Sequence, residues 1–118
     1  MTEKLFQVQD LRLPGVKLLV PIVRADERGF SANVYNPEIF AELGVASVFK
    51  EDFTSYSKKN VLRGFHFQRP PHMQDKLVRC SRGSVLDVAA DCNPTSPTYG
   101  QSVSAELSGD SQAFLFIP

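Results

Sequence analysis

Short apolar or alternating runs recur along the chain at residues 16–23, 29–35, 45–53, 61–68, 76–80, 84–91, 101–107 and 113–117. Runs of this length, alternating with period two and parted by turn residues, predict an all-β domain. The turns have local chemical reasons. Asp26-Glu27-Arg28-Gly29, Ser81-Arg82-Gly83-Ser84 and Ser108-Gly109-Asp110 offer glycine for positive φ and short polar side chains that bond the nearby backbone. One segment departs from the pattern. Residues 36–44 carry Asn36 at the N-cap, Pro37 in the first turn, Ile39, Phe40 and Leu43 on one face, and a terminal Gly44. Two turns of helix are predicted there. The sequence has no internal repeat, low-complexity tract or linker, and 118 residues form one domain, expected to span 1–118.

Charged groups and an imidazole are threaded through the run at 61–68. Arg63, His66 and Gln68 interrupt Leu62, Phe65 and Phe67 so closely that some of them must face the inside of a sheet. Burying such groups without partners costs several kcal/mol in order of magnitude, so their presence predicts a polar pocket lined by the sheet. Asp87, inside the apolar stretch Val85-Leu86-Asp87-Val88, likewise needs a partner such as His66, a lysine or a ligand hydroxyl. The run at 113–117 reads as a core strand, yet the chain stops one residue later. An interior strand in that place predicts an exposed sheet edge and an unfilled core, as in a truncated or partner-completed barrel.

Charge narrows the range of partners. Thirteen basic residues balance thirteen acidic ones, so the long-range field of a nucleic-acid or anionic-membrane binder is lacking and a small ligand fits better. No apolar run approaches a membrane span, and the first residues lack a basic-then-apolar leader, which makes the cytoplasm the expected compartment. Cys80 and Cys92 match neither a zinc spacing nor a disulfide framework and are expected to be small buried hydrophobes. His72, in a loop bounded by Pro70 and Pro71, is expected at a rim. A metal-dependent site would want a second histidine close to His66, where Gln68 stands instead.

Several landmarks then align in order: Asp26-x-Arg28-Gly29-Phe30, the 61–68 segment, Gln74-x-Lys76-Leu77-Val78-Arg79, and Gly83-x-Val85-x-Asp87-Val88. Asp91, Ser96-Pro97-Thr98-Tyr99-Gly100, Glu106-Leu107-Ser108 and Ile117-Pro118 complete the series. Together they resemble the dTDP-4-dehydrorhamnose 3,5-epimerase family of the cupin superfamily over nearly the whole chain. The resemblance implies a cupin-type jelly-roll β-barrel with one short helix in its N-terminal half, here incomplete at the C-terminus and amounting to about two thirds of a complete epimerase. It implies a homodimer that needs no cofactor or metal and inverts carbons beside the 4-keto group of a nucleotide-linked deoxyhexose, as in dTDP-rhamnose biosynthesis. By the same resemblance His66 is the general base, Lys76 sits at the C4 oxygen, and Asp87 lies beside the sugar. Arg28, Phe30, Arg63 and Gln68 fall among the expected ligand contacts.

These roles agree with elementary chemistry. A proton next to a ketone becomes removable when the enolate oxygen is stabilised as charge builds, which an ammonium does well. Imidazole, with an ordinary pKa of about 6.5, is poised to take that proton, and the planar guanidinium of Arg63 suits phosphate or sugar oxygens. The resemblance also has gaps. The family's acid for the opposite face is a tyrosine beyond the Ile-Pro motif, and neither Tyr56 nor Tyr99 matches it. Asn33 stands where the family usually has Glu, and Glu51-Asp52-Phe53 stands where an amide pattern is common. A non-catalytic sugar-nucleotide-binding remnant and a related ketoisomerase are the alternatives.

Overall fold

A computed structural model describes residues 5–118. In chain order it contains β1 (Phe6–Asp10), β2 (Lys17–Pro21), β3 (Arg24–Asp26), β4 (Gly29–Ser31), α1 (Pro37–Glu42), β5 (Lys76–Arg79), β6 (Ser84–Ala90), β7 (Ser102–Ser108) and β8 (Phe114–Ile117). A four-stranded antiparallel sheet runs in the order β1-β2-β8-β5, and β3-β4 and β6-β7 form two-stranded sheets.

The last strand organises the rest. Leu18 pairs with Leu115 and Val78 pairs with the same residue from the other side, so β8 lies between β2 and β5. β8 is thus the interior strand that the sequence predicts, and the edges of its sheet are β1 and β5. Its side chains alternate between two hydrophobic layers, as the strand period requires. Leu115 and Ile117 pack with Leu18, Val20 and Val78 against Ala89, Val103, Ala105 and Leu107 of the β6-β7 sheet. Phe114 and Phe116 turn the other way and join Phe6, Leu19 and Leu77 beneath Phe40 of α1. Phe40 is fully buried and meets Phe6 and Phe114 edge-to-face, with ring centroids 5.0 and 5.9 Å apart. Burying a phenyl group of this kind contributes about 1.5–3 kcal/mol, more than the propensity of a six-residue helix could supply. Asn36 caps that helix by accepting from the backbone N–H groups of Glu38 and Ile39.

Two turns fix how the β6-β7 sheet meets β5. Gly109 donates its N–H to the Gly83 carbonyl at 2.9 Å, and a Cβ at Gly109 would lie 2.9 Å from the Ser81 carbonyl oxygen. No other residue fits that approach. Gln112, buried and polar, donates to the Gly109 carbonyl at 2.6 Å and accepts from Arg79 of β5 at 2.9 Å.

Two expected strands are not formed. Residues 45–53 and 61–68 join no ladder, and Leu62, Phe65 and Phe67 are 92%, 74% and 62% exposed. An extended segment holds its pattern only when a neighbour takes its backbone N–H and C=O groups, and among the described residues none lies alongside. The inward-facing pocket predicted from Arg63, His66 and Gln68 is accordingly not lined by this sheet; all three are exposed. Ser47 donates to Asp75 and draws together the ends of the excursion. Cys80 is half-buried, whereas Cys92 is exposed rather than buried, because it lies two residues beyond the end of β6, outside any strand.

Candidate active site

Strand register brings two charged side chains between the sheets. Lys76 opens β5 opposite Ile117, on the same face as Val78 and Leu115. Asp87 lies in β6 opposite Ala105, on the same face as Ala89. Val78, Ala89, Ala105, Leu115 and Ile117 all belong to the layer between the β6-β7 sheet and the larger one, so Lys76 and Asp87 approach that layer from opposite sides. Asp87 is half-buried, and its Oδ2 is shut from solvent without a hydrogen-bond partner among the described residues. Burial pushes its carboxyl above the ordinary range, opposed by the Val88 backbone N–H and by the nearby Lys76 charge.

This has a measurable signature. A carboxyl raised in the folded state is in its favoured form below the ordinary value of 3.8, and the stability it contributes is lost as pH rises through the folded value. Asp87→Asn removes that loss. Thermal midpoints of the two proteins are expected to converge near pH 3 and to separate at neutral pH, with the variant the more stable (by roughly 1 kcal/mol, the order of an unsatisfied buried acceptor). Thermal melts across pH check it, and a variant that is less stable at pH 7 would contradict the account.

The other expected residues lie apart. Arg63 donates to the Ser57 hydroxyl at 2.8 Å and to the Tyr56 carbonyl at 3.1 Å, so its guanidinium ties the open segment to itself. Among the described residues no hydrogen bond joins His66 to Lys76 or Asp87. Arg28 and Phe30 belong to the β3-β4 hairpin, which is exposed throughout. Arg28 grips Asp26 through Nε and Nη2, the shortest contact 2.6 Å, and its side chain holds the Asp26 carboxyl below its ordinary value. Arg24, Asp26, Arg28, Gly29, Phe30 and Ser31 line an open groove of about 270 Å³. Arg24 was not singled out from sequence; the available signal was its alternation with Asp26 along one strand. Asp91 accepts from the Ser96 and Thr98 hydroxyls and from the Asn93 N–H, which makes the Ser96–Gly100 motif a turn lock.

The family profile described as dTDP-4-dehydrorhamnose 3,5-epimerase matches residues 10–118. The chain belongs to that family. A dTDP-4-dehydrorhamnose 3,5-epimerase of Salmonella typhimurium is 50% identical over 107 residues, which cover 90% of this chain and 58% of that protein. The Bacillus anthracis epimerase crystallised with TDP and PPi superposes with a TM-score of 0.92 at 36% identity, covering 96% of this chain and 65% of that one. The Legionella pneumophila epimerase in complex with dTDP-4-keto-L-rhamnose gives a TM-score of 0.90 at 37% identity, covering 96% and 60%. This chain therefore spans about 58% of the length of the Salmonella relative. The nearly all-β architecture with one short helix is that of the epimerase family's cupin jelly roll. No helix among the described residues is long and apolar enough to cross a membrane.

Proposed function

We propose that this chain carries the site of an epimerase acting on a nucleotide-linked 4-keto-6-deoxyhexose, of the dTDP-4-dehydro-6-deoxyglucose type, in a cytoplasmic homodimer. The observation that carries the reading is the convergence of Lys76 and Asp87 on one inter-sheet layer, with a buried carboxylate oxygen left without a donor. Such an oxygen is matched to a sugar hydroxyl or to the lysine ammonium.

In this reading neutral His66 removes a proton from the carbon beside the ketone. The electron pair moves toward the carbonyl oxygen, and Lys76 stabilises the negative charge that builds there. Return of a proton to the opposite face inverts the carbon; that acid is assigned to no residue of 1–118. Asp87 supports the lysine and the sugar, while Arg28, Phe30, Arg63 and Gln68 hold the nucleotide and sugar. His66 stands on the exposed segment that precedes β5, which begins at Lys76.

Incubating the purified protein with its keto sugar in heavy water and following the ring protons by NMR tests this. Deuterium should enter at C3, at C5 or at both. Binding of dTDP without any exchange would instead support a sugar-nucleotide-binding protein that does no chemistry.

A further inference from the structure

The groove on the β3-β4 hairpin holds two cations and one anion. Alternation along β3 sets Arg24 and Asp26 on one face, opposite Ser31 and Gly29 of β4. Asp26 is committed to Arg28: it accepts from Nε, from Nη2 and from the backbone N–H of Arg28, the last at 2.9 Å. The Arg28 guanidinium thus meets a ligand as half of a neutral pair, with two of its donor groups already used. The positive charge that this pairing leaves over in the groove belongs to Arg24.

Arg24 also occupies a second place. A neighbouring depression of about 300 Å³ is lined by Leu5, Ile22, Arg24, Ser31, Ala32 and Asn33. Arg24 and Ser31 are therefore shared by a polar groove and a more apolar one. A ligand with an anionic middle and an uncharged end would lie across that junction. Gly29, at φ +130° with nothing within 4 Å of a Cβ position, leaves the polar side open to a close approach.

We infer that Arg24 is a phosphate-binding residue of this protein, its guanidinium taking diphosphate oxygens where the two grooves meet. The inference rests on the nucleotide-sugar reading above and adds a residue to it. A planar guanidinium donates paired hydrogen bonds to phosphate oxygens, whereas Arg28 can contribute only what Asp26 leaves.

Titration calorimetry with three probes tests it: dTDP, thymidine and inorganic pyrophosphate. Arg24→Gln is expected to weaken dTDP binding roughly tenfold or more, the order of one charge-assisted hydrogen-bonded contact. Thymidine, which lacks phosphate, should bind Arg24→Gln and the unsubstituted protein equally. Pyrophosphate should follow dTDP, and Arg24→Lys should recover part of the loss because it restores the charge without the fork. Arg24 is exposed, and circular dichroism confirms that the variants are folded. Unchanged dTDP affinity in Arg24→Gln overturns the assignment of Arg24 alone. An equal loss of thymidine binding also overturns it, since the effect would then not be on phosphate. If the unsubstituted protein binds no dTDP, the nucleotide reading fails and this assignment falls with it.

Discussion

His66→Asn is expected to lower solvent exchange at the carbon beside the keto group by about 10²–10⁴-fold, the usual contribution of a positioned general base. Asparagine keeps a polar side chain of similar reach but accepts no proton at neutral pH. Because His66 is exposed and makes no packing contribution to either hydrophobic layer, thermal stability and dTDP affinity should stay at the level of the unsubstituted protein. The measurement is the rate of deuterium entry at each ring carbon in heavy water, read alongside the melting temperature. Exchange at C3 and C5 that persists at the original rate would remove His66 from the reaction. Loss at one carbon alone would divide the two inversions between different bases.

The second large effect is expected at Lys76. Lys76→Gln should reduce kcat by about 10²–10³-fold with a smaller change in KM, the pattern of an interaction made mainly in the transition state. Glutamine still donates hydrogen bonds to a ground-state carbonyl, so the difference isolates the charge. The substitution has a second consequence, because the Lys76 charge is one of the two influences that hold the Asp87 carboxyl down. Without it burial acts less opposed and Asp87 should take up its proton at higher pH. A shift of the Asp87 carboxyl resonance toward higher pH, followed by carbon-13 NMR, checks this without reference to turnover. Equal kcat in Lys76→Gln and the unsubstituted protein would exclude the oxyanion role.

Sequence reading succeeded where local chemistry decides structure. Asn36, Pro37 and the apolar face of Ile39 and Phe40 specify a capped helix on their own, and α1 occupies Pro37–Glu42 within the expected segment. The turn at Ser108-Gly109-Asp110 was expected as well, but not for the reason found: Gly109 does not take the positive φ expected of it and is required instead by an approach to Ser81 that no Cβ permits. It failed where pairing decides. The pattern at 61–68 has strand periodicity, but periodicity supplies no partner, and the segment lies open. The reverse held for β1, whose Gln7, Gln9 and Asp10 look like loop residues yet form a ladder against Val20, Leu18 and Lys17. An edge strand tolerates polar side chains because one of its faces meets water, as the exposed residues after Phe6 indicate. Among the site residues, Lys76 and Asp87 gained a spatial relation that no spacing in the chain revealed, since it depends on β5 and β6 belonging to different sheets.

The double burial of β8 sets how much variation different stretches of this chain can absorb. Inserting or deleting one residue within Phe114–Ile117 would exchange the destinations of every side chain after it, sending aromatic rings into the space shared with Lys76 and aliphatic groups beneath α1. The same length change between Arg69 and Met73, between the His66 segment and β5, would displace exposed side chains and no ladder. Diversity in loop length among homologous proteins should therefore gather in the second region and be nearly absent from the first.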